Sequence, residues 1–133
     1  MVQRSPSRFL LVTAALLGAC GVALGAFGAH ALRGHLTPAA LATFDTATRY
    51  LAYHALALLG VGILAEVKGW CGLRLAGTLL AAGTGIFTGS LYILSLTEVR
   101  WVAWLTPLGG LALIAGWLVL ARALFRQAGT TGK

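Results

Sequence analysis

Four apolar runs, none holding an Asp, Glu, Lys or Arg, occupy most of this 133-residue chain: Phe9–Ala29, Tyr50–Ala65, Leu75–Leu96 and Trp101–Ala121. A helix rises about 1.5 Å per residue, so about 20 residues cover the roughly 30 Å hydrocarbon core of a bilayer. The first, third and fourth runs reach that length outright. The second is shorter, and spans by taking in Ala47 and Thr48 or by thinning the bilayer locally. In hydrocarbon every backbone N–H and C=O must find its partner within the chain, which leaves helices or closed barrels. Barrel strands alternate polar and apolar residues, and these runs do not. The expected fold is therefore all-α, one integral membrane domain over 1–133 with four transmembrane helices at about 9–29, 47–65, 75–96 and 101–121 and a polar tail at 122–133.

The charged residues set the orientation. They make up only 10% of the chain against 59% apolar, where a soluble domain has about 25% and about 45–50%. So few charges cannot cover a soluble surface, which excludes a soluble enzyme, a nucleic-acid-binding domain and a disordered chain. The net charge of +7 is scattered between apolar runs and forms no stripe for nucleic acid. It reads instead as topology and as contact with anionic lipid on the cytoplasmic side. With the N-terminus inside, Arg4, Arg8, Lys68, Arg74, Arg122, Arg126 and Lys133 are cytoplasmic, and only Arg33, Arg49 and Arg100 are outside. The expectation is N-in/C-in.

Between the first two runs, Thr37-Pro38 has the form of an N-cap followed by Pro in the first turn. Asp45 and Arg49 stand four apart with the acid first, the favourable helical order. Pro38–Ala65 is expected as one long helix or two stacked ones, with an outer-side extension before helix two and with Leu41 and Phe44 facing inward. Gly69 is a C-cap candidate, and Pro107 with Gly109 and Gly110 is expected to bend helix four. Cys20 and Cys71 fall at different depths and are expected as free thiols. The residues up to Cys20 also resemble a bacterial lipoprotein signal. The apolar run continues nine residues past Cys20, longer than a signal's apolar region, so an uncleaved first helix is the preferred reading.

Two groups of residues are candidates for function. Gly18, Gly21, Gly25 and Gly28 share one face of helix one. Gly77, Ala81, Gly85 and Gly89 recur every four residues in helix three. Small residues let helices approach closely in lipid. These faces are read first as packing within the chain and second as an interface in a homo-oligomer or larger membrane complex, with Gly25 and Gly85 the least tolerant of enlargement. The second group is an outer-side polar cluster of His30, Arg49, Tyr53, His54 and Tyr92, with Thr88 and Ser95 near in depth. Ionisable groups in membrane segments are functional candidates by default. Two His without a third ligand fall short of a metal site. A hydrogen-bonded clasp between His54 and His30, or else Tyr50 or Tyr92, is the preferred reading. No nucleophile–base pair, phosphate loop or carboxylate pair is present, so no catalytic residue, metal or cofactor is expected.

The string Leu24-Gly25-Ala26-Phe27-Gly28-Ala29-His30-Ala31-Leu32, then Phe44-Asp45-Thr46-Ala47 and Tyr50-Leu51-Ala52-Tyr53-His54-Ala55-Leu56-Ala57-Leu58, resembles the bacterial membrane family catalogued as domain of unknown function 423. The resemblance implies a small multi-pass protein of the bacterial inner membrane and implies no activity. The family's segment carries Glu where this chain has Asp45. The functional expectation is a non-enzymatic accessory or structural membrane subunit. The alternative is an oligomeric transporter or channel for protons or a small solute, with His30 and His54 near its outer mouth.

Overall fold

The computed structural model describes residues 6–97 and 99–128. Arg4, Glu98 and Lys133 lie outside the described residues. Four helices long and apolar enough to cross a membrane follow one another: α1 (Pro6–His30), α2 (Pro38–Lys68), α3 (Leu73–Leu96) and α4 (Leu105–Ala128), with a 3₁₀ turn at Arg100–Trp104 before α4.

The ends of α2 are set by the residues that punctuate it. Thr37 is extended, with ψ 155°, and its hydroxyl accepts from the Ala40 N–H at 3.2 Å. Pro38 follows in the first turn, where its missing N–H leaves no bond unmade. At the other end Gly69 turns left-handed at φ 60° and its N–H caps the Ala65 carbonyl. Between these caps α2 runs unbroken, so the expected extension and the membrane segment are one helix rather than two.

The fourth element differs from expectation at both ends. Pro107 sits in the first turn of α4, where it starts the helix instead of bending it. The helix also continues through Arg122 and Arg126 to Ala128, so most of the expected tail is helical. Ala123 is buried there, close to Gly72 at the start of α3. Leaving the helix at Ala121 would forfeit that contact.

The helices pack in succession, with α1 on α2, α2 on α3 and α3 on α4. All four meet toward the end where α1 and α3 begin and α2 and α4 finish. Leu10 and Ala14, Leu58 and Val61, Leu73 and Leu80, and Leu120 form one continuous core there. The α1 N-terminus is tied to the α2 C-terminus at this end by the Ser7 hydroxyl donating to the Glu66 carboxylate.

Large apolar side chains such as Leu56, Leu118 and Phe125 are left outside, as suits a lipid solvent. Hydroxyls are found inside. Buried Thr84 and Thr88 donate to the carbonyls of Leu80 and Thr84 at 2.6 and 2.8 Å. Buried Ser90 donates to the Phe87 carbonyl at 2.9 Å and meets the Thr106 hydroxyl of α4 at 2.7 Å. Every buried side-chain N or O among the described residues has a partner.

Candidate functional site

The glycine faces divide. On α1, a Cβ at Gly28 would stand 2.8 Å from the Phe44 ring, and at Gly25 3.5 Å from Thr48. Gly21 faces Leu51 at 3.9 Å, and Gly18 faces open space. Phe44 is fully buried in the Gly28 notch, edge-on to Tyr92 at 4.8 Å. Two of the strings that carry the family resemblance thus lock into each other. On α3, Gly77 is pressed by Leu10 of α1 and Ala81 lies beside the core, but nothing stands within 4 Å of Gly85 or Gly89. The expectation that Gly25 and Gly85 are the least tolerant of enlargement is corrected: a Cβ at Gly25 makes an ordinary contact and one at Gly85 meets nothing, while Gly28 and Gly77 are the tight positions. A row spaced by four drifts about 40° around the helix at each step. A row that begins in the α1 seam at Gly77 has therefore turned out of it by Gly85.

Glycines outside those rows make approaches as tight as those at Gly28 and Gly77. A Cβ at Gly109 would stand 2.5 Å from the Phe87 nitrogen, at Gly116 2.9 Å from Leu80, at Gly83 2.9 Å from the Leu113 nitrogen, and at Gly62 2.8 Å from Leu11. The first three close α3 against α4 and the last closes α1 against α2.

The polar cluster comes apart. His30 ends α1 exposed, Arg49 is exposed, and Tyr53 projects from α2 with 61% of its surface free. The Tyr92 hydroxyl pairs with the Thr48 hydroxyl at 3.0 Å, joining α3 to α2. Ser95 turns back to the Tyr92 carbonyl. His54 is buried to 7% exposure, and its partner is neither His30 nor Tyr92. Its Nδ1 lies 2.8 Å from the Tyr50 carbonyl, one turn earlier in α2. A carbonyl only accepts, so Nδ1 carries the proton. Nε2 is then an acceptor, and the Trp117 indole N–H donates to it across 3.3 Å. The two contacts agree on one neutral tautomer. The expected clasp therefore joins α2 to α4 rather than to α1.

The clasp sets His54 and Trp117 side by side, each about midway along its helix. A buried polar group within an apolar span needs such a partner. Around the clasp lies a cleft of about 490 Å³ between α2, α3 and α4, lined by Tyr50, Tyr53, His54, Phe87, Gly110 and Trp117 among others. Tyr50 rests on Phe87 at 4.8 Å and stacks on His54 at 5.9 Å, and His54 meets Trp117 edge-on at 6.3 Å.

Among the described residues no three His, Cys, Asp or Glu side chains converge. Cys20 and Cys71 are free and exposed.

A family model described as "Protein of unknown function (DUF423)" matches residues 24–110. The chain is 39% identical over 122 residues to the UPF0382 membrane protein SAB0533 of Staphylococcus aureus, covering 92% of this chain and 99% of that protein. It is 40% identical over 114 residues to the UPF0382 inner membrane protein YgdD of Escherichia coli, covering 86% and 87%. No solved structure matches the chain.

Proposed function

This chain belongs to the membrane-protein family of unknown function DUF423, and from that premise we propose that it is a non-enzymatic accessory subunit of the bacterial inner membrane. It is a multi-pass protein, with four helices long and apolar enough to span. The observation that carries the accessory reading is the filling of its interior. Leu58, Leu73 and Leu80 are fully buried at the crossing of the helices. The buried hydroxyls of Thr84, Thr88 and Ser90 are committed to carbonyls of their own helix. A proton path needs hydroxyl protons free to pass along it, and the protons of these hydroxyls are engaged. Such a bundle acts through what it holds at its lipid-facing sides. On this reading the basic residues Arg74, Arg122 and Arg126 contact anionic headgroups at the cytoplasmic face, and the open Gly85–Gly89 surface is available to a neighbouring helix.

The test is native mass spectrometry of the full chain, extracted in a mild detergent, paired with proton-flux measurements in proteoliposomes. The expected result is a stoichiometric complex with a larger membrane protein and no flux above that of empty vesicles. A proton flux that disappears in His54→Leu would make the protein a conductor and overturn the accessory reading.

A further inference from the structure

The cleft around His54 has a character that packing alone does not require. It is open sideways, since Tyr53 at 61% and Trp117 at 47% exposure stand at its edge within spanning helices. What enters comes from the hydrocarbon and is lipid-soluble. Its walls are flat rings, Tyr50 tilted against Phe87 and Trp117 edge-on to His54, faces that suit a further ring better than a flexible chain. Its volume, about 490 Å³, lies within the range of small-molecule sites.

The wall carries one acceptor whose orientation is fixed by its own helix. The Tyr50 carbonyl holds the His54 proton on Nδ1, which fixes Nε2 as a lone pair. The Trp117 indole N–H donates to that lone pair across 3.3 Å. A ligand hydroxyl that takes the place of the indole can donate to Nε2 and accept the freed indole N–H on its own oxygen, so neither group is left unpaired. An acyl chain has no group to offer this acceptor, and an oxidised quinone has only acceptors.

We propose that the α2–α4 cleft binds the ring of a membrane-soluble quinol, with a quinol hydroxyl donating to His54 Nε2. The site needs only this chain, and holds whether or not the protein joins a larger complex.

The probe is decylubiquinol, with its dimethyl ether as the matched ring lacking a donor. Binding to the full chain in phospholipid nanodiscs is measured by titration of thermal stability. The expected result is saturable stabilisation by the quinol, with the ether roughly tenfold weaker. Gly110→Leu fills the cleft from a position whose Cβ meets Phe87 only at an ordinary 3.8 Å. It should keep the unliganded melting temperature and lose the stabilisation. His54→Leu should bind quinol and ether alike. The proposal is overturned by equal affinity for quinol and ether in the unaltered protein. It is also overturned by a non-saturable response, or by one unchanged in Gly110→Leu, since those outcomes mean partition into lipid. A phospholipid that copurifies in the cleft and is not displaced by the quinol likewise overturns it.

Discussion

Replacing Gly109 by Ala tests how α3 and α4 are held together. A Cβ there would lie 2.5 Å from the Phe87 nitrogen and 2.7 Å from its Cα. Ordinary contact begins at 3.4 Å, so the two backbones must part by about 0.9 Å. No rotamer change relieves the clash, because the obstacle is main chain. A gap of 0.5–1 Å forfeits a quarter to a half of each dispersion contact it opens. The same seam holds the close contacts at Gly83 and Gly116 and the Ser90–Thr106 hydrogen bond. Overpacked cores lose about 1–3 kcal/mol, and this backbone obstacle places the loss toward the upper end. Ala is also the better helix former by about 1 kcal/mol, which would mask part of the effect. Gly85→Ala supplies the control, with the same chemical change at a position facing open space. Unfolding free energies in bicelles should place Gly109→Ala below Gly85→Ala by about 1–3 kcal/mol. Equal stability, or a more stable Gly109→Ala, would refute close backbone approach as the basis of the α3–α4 seam.

Three further outcomes follow from the same contacts. His54→Leu leaves the Trp117 indole unpaired and should lose about 1 kcal/mol, while His54→Gln offers another acceptor and should retain most of the stability; equal losses in the two melting curves would exclude the clasp. A double-mutant cycle of Thr48→Val and Tyr92→Phe should give a coupling of about 0.6 kcal/mol, with about 1.7 as the ceiling for such bonds in membranes, and a coupling of zero would mean the 3.0 Å hydroxyl contact holds nothing. With Cys20 and Cys71 changed to Ala, Ala39→Cys should react with an impermeant maleimide added to intact cells, and labelling only after permeabilisation would invert the proposed N-in/C-in orientation.

The helices were legible in the sequence because the bilayer dictates their length, and Thr37, Pro38 and Gly69 marked the limits of α2. The seams were harder to read, because they depend on rotation about axes that are apolar on nearly every side. A search for small residues recurring every three or four positions found Gly25 and Gly28, whose partners Thr48 and Phe44 lie on α2, and misplaced Gly85. The α3–α4 seam is written in a different pattern. Leu80, Gly83 and Phe87 recur at spacings of three and four, and Gly116, Leu113 and Gly109 repeat those spacings in reverse, so that each large residue enters the notch of a glycine opposite. That is the knobs-into-holes spacing of left-handed helix pairs. It is visible only when both helices are read together and large residues are counted with the small. The same limit hid the partner of His54. Depth alone grouped His54 with His30 and Tyr92, yet its ring is turned toward Trp117 on α4. Two polar atoms within apolar spans have few alternatives to pairing with each other, and the cleft beside them is left open where α4 carries Gly110.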